Sequence, residues 1–141
     1  MTDKPVAAKL LIRPGDLVWL SDPERAPLLG VLPDGASVVG GARPGPDARV
    51  AVVIAPDGAT VRAALAAAAE SLRAVPILWV LYPKGGRADV NRDTLWPILA
   101  VEGLRPITQV AVDETWSALR WRRDPALRAA REARGARVGR D

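Results

Sequence analysis

The sequence predicts a three-layer α/β domain built around a mostly parallel β-sheet. The stretches 49–55 and 77–82 are almost continuously apolar, which is typical of strands buried on both faces. Between them, apolar residues recur at helical spacing from Val61 to Leu72 and predict a helix that ends near Ala74. Strands that alternate with helices favour a parallel sheet covered by helices on both faces.

The other elements follow from turn residues and apolar runs. Asp22 and Pro23 form a cap and first turn for an irregular helix to about Leu32, and Thr60 is the expected cap of the helix that ends near Ala74. Residues 1–8 are expected to be a loose lead-in. The predicted strands are 16–20, 37–40, 49–55, 77–82, 107–112 and 116–122, and the last helix is 92–101. The last two strands are so close that they predict an antiparallel hairpin.

Charge divides the chain into a domain, residues 1–123, and a basic tail, residues 124–141. The chain carries a net charge of +4. Residues 120–141 hold eight arginines against three acids, a net +5, which leaves −1 for residues 1–119. The arginine- and alanine-rich tail is expected to be a solvated, partly helical or disordered end. Association with nucleic acid through the tail is the less favoured alternative.

The composition excludes several kinds of chemistry. The chain has no cysteine and no histidine, so disulfides, thiolate catalysis and a serine–histidine triad are ruled out. We expect no catalytic residues and no cofactor. A metal is not expected either, because any metal site would need oxygen ligands alone. The start lacks a signal-peptide pattern, and the apolar runs are shorter than the about 20 residues that span a bilayer. A cytoplasmic protein without membrane association is expected.

Three stretches resemble a family of small bacterial proteins known as a domain of unknown function. They are 12–15 (IRPG), 78–84 (LWVLYPK) and 112–120 (VDETWSALR), and the likeness covers about residues 9–122. The hairpin-terminated parallel sheet, with Gly103 before the penultimate strand, also resembles the S-adenosylmethionine-dependent methyltransferases. These resemblances imply a Rossmann-like fold with a shortened methyltransferase-like topology, and they imply no reaction.

The sequence departs from the methyltransferases where their cofactor binds. Their first strand runs into a Gly-x-Gly loop, whereas here the strand runs into Ser21, Asp22, Pro23 and Glu24. Their second strand ends in an acid that holds the ribose, whereas here it ends in Val39 and two glycines. Proline and a bulky acid in place of glycine are expected to crowd an adenosyl group or a dinucleotide.

Seven residues are candidates for ligand binding because they fall near the carboxyl ends of the predicted strands or in the hairpin. They are Asp22, Lys84, Arg87, Asp93, Asp113, Trp116 and Ser117. The loop after the 77–82 strand contains two glycines and two cations and is suited to an anion. Lys84 is expected to approach Asp93, with Asp113 close to either, as a salt bridge or a proton-transfer pair.

Two functions remain open from these residues. A non-catalytic binding module for a protein partner or a small anionic ligand is preferred, because the fold is intact while its cofactor loop is absent. A divergent transferase-type enzyme that uses Lys84, Asp93 and Asp113 is the alternative. Of the five tryptophans, Trp19 and Trp79 are expected in the core, and Trp121, flanked by arginines, either closes the sheet or stacks on a partner.

Overall fold

A six-stranded sheet with helices on both faces forms the structure, a computed structural model that describes residues 4–86, 88–124 and 126. The strands are β1 (Leu17–Leu20), β2 (Ser37–Val39), β3 (Val50–Ile54), β4 (Ile77–Pro83), β5 (Leu104–Ala111) and β6 (Trp116–Arg123). The helices are α1 (Val6–Lys9), a 3-10 helix (Pro23–Leu29), α2 (Gly58–Ala74) and α3 (Arg92–Ala100).

The strand order is β2-β1-β3-β4-β6-β5. Strand β1 pairs in parallel with β2 and β3, and β3 pairs in parallel with β4. Strand β6 is antiparallel to both β4 and β5. The predicted mostly parallel sheet with a terminal hairpin is therefore confirmed. The connection from β2 to β3 has no helix and crosses over β1.

Each face of the sheet has its own hydrophobic core because successive strand residues point to opposite faces. On one face, Val53 and Val80 pack with Leu65 of α2 and Leu99 of α3. On the other face, Val52, Trp79 and Leu81 pack with α1 and the 3-10 helix, and the cluster on that face includes Leu10 and Leu29. The predicted shielding of β3 and β4 by the 61–72 helix is confirmed.

Asparagine and aspartate side chains fix where the two long helices begin. Asp57, not Thr60, caps α2, since its carboxylate accepts the Thr60 N–H at 2.8 Å. Asn91 caps α3 through a reciprocal capping box with Thr94. The helix therefore begins at Arg92, as predicted, and it contains Pro97. The carbonyl that Pro97 leaves without a partner belongs to Asp93, which is exposed to water.

The amino-terminal segment is more ordered than the sequence predicts. A single turn, α1, lies where a loose lead-in was expected. Leu10 and Ile12 are buried, and the Trp79 indole N–H donates to the Leu10 carbonyl at 2.9 Å. Together with the 3-10 helix, this turn covers the face of the sheet that α2 and α3 leave open. The prediction was wrong because tertiary burial, not local pattern, stabilises so short a helix.

Asp16 and Arg49 join the segments that enter β1 and β3. The Arg49 guanidinium donates to Asp16 at 2.8 and 2.6 Å and to the Leu11 carbonyl at 2.5 Å. Asp16 also accepts the Arg13 N–H at 2.7 Å. The hydrogen bonds from Arg49 are the main cause of a lowered Asp16 pKa, burial opposes them, and the Arg13 amide adds to the lowering.

Two sequence predictions fall largely outside the described residues. Arg87 is outside them, and so is the basic tail apart from residues 124 and 126. The division into a domain at 1–123 and a tail at 124–141 therefore stays a prediction. In the part of the chain that the structure describes, no helix has both the length and the apolar character needed to cross a membrane.

Candidate functional site

A polar cleft of about 740 Å³ opens at the carboxyl end of β4. We call it the β4 cleft. It lies between the end of β4, the start of α3 and the β5–β6 hairpin. Its lining residues are Tyr82, Lys84, Gly85, Asn91, Arg92, Asp93, Gln109, Val110, Ala111 and Ser117.

The wall of the β4 cleft contains a hydrogen-bonded network. The Gln109 side-chain amide donates to the Tyr82 hydroxyl at 2.8 Å and to the Ser117 hydroxyl at 3.2 Å. Ser117 donates in turn to the Val110 carbonyl at 3.3 Å. Tyr82 and Ser117 are each only 4% exposed, so the network is fixed by packing. Within the described chain the proton of the Tyr82 hydroxyl has no acceptor, so the phenol retains a donor for a ligand.

The electrostatics of the β4 cleft favour an anion. Lys84 and Arg92 supply two positive charges against the one negative charge of Asp93. The cleft also includes the amino-terminal turn of α3, where the helix dipole is positive. The Lys84 main-chain N–H donates to the Thr115 carbonyl at 2.8 Å, which holds the loop against the hairpin. No ion pair joins Lys84 to Asp93 among residues 4–86 and 88–124, so the Lys84 ammonium is available to a ligand.

The structure brings three of the seven sequence candidates together. Lys84, Asp93 and Ser117 all line the β4 cleft. Arg87 lies outside the described residues. Ser117 faces the cleft within the tyrosine–glutamine network rather than acting alone.

The other three candidates lie elsewhere. Asp113 accepts the N–H groups of Thr115 and Trp116 at 2.7 Å and lines a separate cleft with Arg25, so the expected approach to Lys84 is not found. Trp116 is buried on the opposite face of the sheet, with the Arg25 guanidinium 5.4 Å from its ring centroid. Asp22 caps the 3-10 helix by accepting the Glu24 N–H at 3.2 Å. Local turn and cap geometry holds Asp22 and Asp113.

Pro23 lies just after β1 and packs against Gly40, the residue that follows β2. A β-carbon placed on Gly40 would lie 2.5 Å from the Pro23 ring, so the proline packs directly on the backbone of that glycine. The Ser21 hydroxyl accepts the Ile54 N–H at 2.8 Å and closes the neighbouring gap between β1 and β3. An adenosyl group or dinucleotide at these strand ends would meet side chains where glycine is needed. The residues present do not fit such a cofactor.

The described residues contain no group of three acidic, histidine or cysteine side chains that could hold a metal ion. The polar groups of the β4 cleft are donors for the most part, which suits an anionic or hydrogen-bond-accepting molecule.

Three residues of the β4 cleft escaped sequence reasoning. Tyr82 was counted as part of a buried strand, and its hydroxyl reaches the cleft from the carboxyl end of β4. The Gln109 side chain points to the face of the sheet that carries Tyr82. The pairing of β5 with β6 that puts it there depends on a bulge between Pro106 and Thr108. Arg92 could have been found, since it is the first residue of a predicted helix.

Comparison with solved structures shows which fold this geometry belongs to. A protein in the NADB-Rossmann superfamily from Streptococcus agalactiae matches with a TM-score of 0.53 and 11% identity, over 87% of this chain and 69% of that one. The fold is Rossmann-like. A LepI variant in complex with SAH and a substrate analogue matches with a TM-score of 0.52 and 13% identity, over 84% of this chain. LepI in complex with SAM matches with a TM-score of 0.51.

These similarities show the fold alone. The Rossmann-like chain spans 39% of the LepI chain, well under half of its length. No protein-family model matches the sequence, and no curated protein matches it either. Identities of 11–13% do not transfer binding residues from one protein to another.

Proposed function

We propose that this chain is a non-catalytic, Rossmann-like binding module that takes a small anionic ligand in the β4 cleft. The observation that carries the proposal is the pairing of Lys84 and Arg92 with a buried hydrogen-bonded wall. Such a site combines charge attraction with fixed donors that orient a ligand. A di- or tricarboxylate or a phosphorylated metabolite has the matching chemistry.

The packing of Pro23 against Gly40 supports this proposal, because proteins of this fold that bind a cofactor need open space at that position. Pro23 against Gly40 leaves the usual cofactor position filled, while the β4 cleft is open at the same edge of the sheet. We also propose that the chain belongs to the small bacterial family that it resembles. In this proposal residues 1–123 form the binding domain and residues 124–141 form an appended tail. A protein partner is its second possible ligand class.

A transferase is the second candidate function. Its support is the fold shared with LepI, whose solved complexes contain SAH or SAM. Lys84 and Asp93 would supply the proton-transfer pair, without Asp113, which lines another cleft. This candidate requires an activated donor to enter despite Pro23, and its failure leaves the anion site untouched.

Citrate binding measured by calorimetry tests the anion site. The Lys84→Gln substitution is expected to weaken citrate binding by about ten- to a hundredfold, because a charge-assisted hydrogen bond contributes about 1.5–3 kcal/mol. Arg62→Gln, which removes the same charge from an exposed position on α2, is the matched control and is expected to leave the affinity unchanged. Equal binding by the Lys84→Gln and wild-type proteins would remove the proposal's support.

A further inference from the structure

A second cleft, of about 280 Å³, lies at the amino end of β4, on the opposite side of the molecule from the β4 cleft. We call it the amino-end cleft. It is formed by the end of α2, the start of β4 and the last residues of β6. Its lining residues include Arg73, Trp121, Arg122 and Arg123.

The Trp121 indole N–H is a buried donor that has no acceptor among the described residues. Trp121 is 2% exposed, and no described residue lies within hydrogen-bonding distance of its Nε1. The indoles of Trp19 and Trp79, by contrast, donate to the Gly41 and Leu10 carbonyls. Buried donors in proteins are nearly always paired, so an orphaned one that lines a cleft points to a bound acceptor.

Three arginines line the cleft with this donor. Arg123 is two residues beyond Trp121 in β6, so it lies on the same face of the sheet and is exposed. Arg122 lines the cleft from the alternate position, and Arg73 pairs with Glu102 at 2.7 Å. The carboxyl end of α2 opposes an anion with about half a negative charge. The two arginines of β6 outweigh it.

We propose that the amino-end cleft binds a small oxyanion of the phosphate or sulfate type. One oxygen accepts the Trp121 indole N–H, and the other oxygens face the guanidinium of Arg123. This site is separate from the β4 cleft and does not depend on the function proposed for that cleft. A water molecule would satisfy the indole but would leave the arginines without a role.

The same phosphate chemistry has two sources, a free oxyanion and the phosphodiester backbone of a nucleic acid. The arginine-rich tail continues directly from β6, which makes the second source relevant. Inorganic phosphate and a short single-stranded oligonucleotide therefore form the two arms of the test.

The test is a titration followed by the indole resonances in nitrogen–proton correlation spectra. The Trp121 signal, assigned through its nuclear Overhauser contacts and checked by Trp121→Phe, is expected to shift saturably with phosphate and not with chloride at equal ionic strength. Arg123→Gln is expected to raise the dissociation constant about tenfold. Arg62→Gln and Lys84→Gln are expected to leave it unchanged, and the latter separates this site from the β4 cleft.

Each outcome decides the proposal. Saturation by phosphate supports a free oxyanion site, and saturation by the oligonucleotide at much lower concentration supports a phosphodiester site. A Trp121 signal that moves with neither probe indicates an ordered water only and overturns the proposal. Full affinity in Arg123→Gln also overturns it, and this exposed substitution keeps the test available if Trp121→Phe does not fold.

Discussion

Trp79→Ala is expected to lower the free energy of unfolding by about 3–5 kcal/mol. Trp79 is 1% exposed in the centre of β4, so its removal leaves a large cavity between β4 and the α1 segment. It also leaves the Leu10 carbonyl without the indole donor at 2.9 Å. Urea denaturation followed by far-ultraviolet circular dichroism measures the loss.

Trp96 is the matched control for this substitution. It is a tryptophan on α3 with 46% of its surface exposed, and Trp96→Ala is expected to change the stability by less than about 1 kcal/mol. If Trp79→Ala cost no more than Trp96→Ala, α1 would not be packed on β4 as described. The cover of that face of the sheet would then have to come from another segment.

Asp16→Ala is expected to lower the free energy of unfolding by about 2–3 kcal/mol, because it strips the partly buried Arg49 guanidinium of its partner. The side chains of Arg49 and Asp16 are 25% and 10% exposed, so solvent screens this pair only in part. Asp47→Ala, at an exposed position in the β2–β3 connection, is the control and is expected to be near neutral.

The Asp16–Arg49 pair also gives stability a pH dependence. The folded pKa of Asp16 lies below its usual 3.8, so the carboxylate stabilises the fold fully above about pH 4 and loses this effect as the pH falls through the folded pKa. Wild-type stability is therefore expected to fall more steeply on acidification than that of Asp16→Ala. Some acid sensitivity remains in the variant, since hydrogen bonds from Thr60 also lower the pKa of Asp57. If the free energy of unfolding fell equally steeply with decreasing pH in both proteins, this role of Asp16 would be contradicted.

The sheet was predictable because its central strands have strong local signals. Continuous apolar runs at β3 and β4, separated by one amphipathic helix, allow little besides a parallel pair. The cover provided by α1 was not predictable, because a four-residue helix has no periodicity and depends on partners such as Trp79, distant in sequence.

The candidate site was predictable in part. Lys84 and Asp93 follow from the rule for strand ends, since both lie in the loop and helix after β4. The Gln109–Tyr82 contact joins residues that are 27 positions apart, and its register is shifted by a bulge that no sequence pattern marks. Asp22 and Asp113 were also predicted to bind a ligand, but their side chains accept hydrogen bonds from backbone amides in a helix cap and a turn.

Calorimetric titration with S-adenosylhomocysteine tests most directly whether Pro23 closes the crevice at β1 and β2. The packing of Pro23 on Gly40 predicts no saturable heat at millimolar ligand, while citrate still binds to the same protein sample. Saturable binding of S-adenosylhomocysteine that persists in Lys84→Gln would contradict this account. It would show that the crevice opens to an adenosyl group and would favour the transferase.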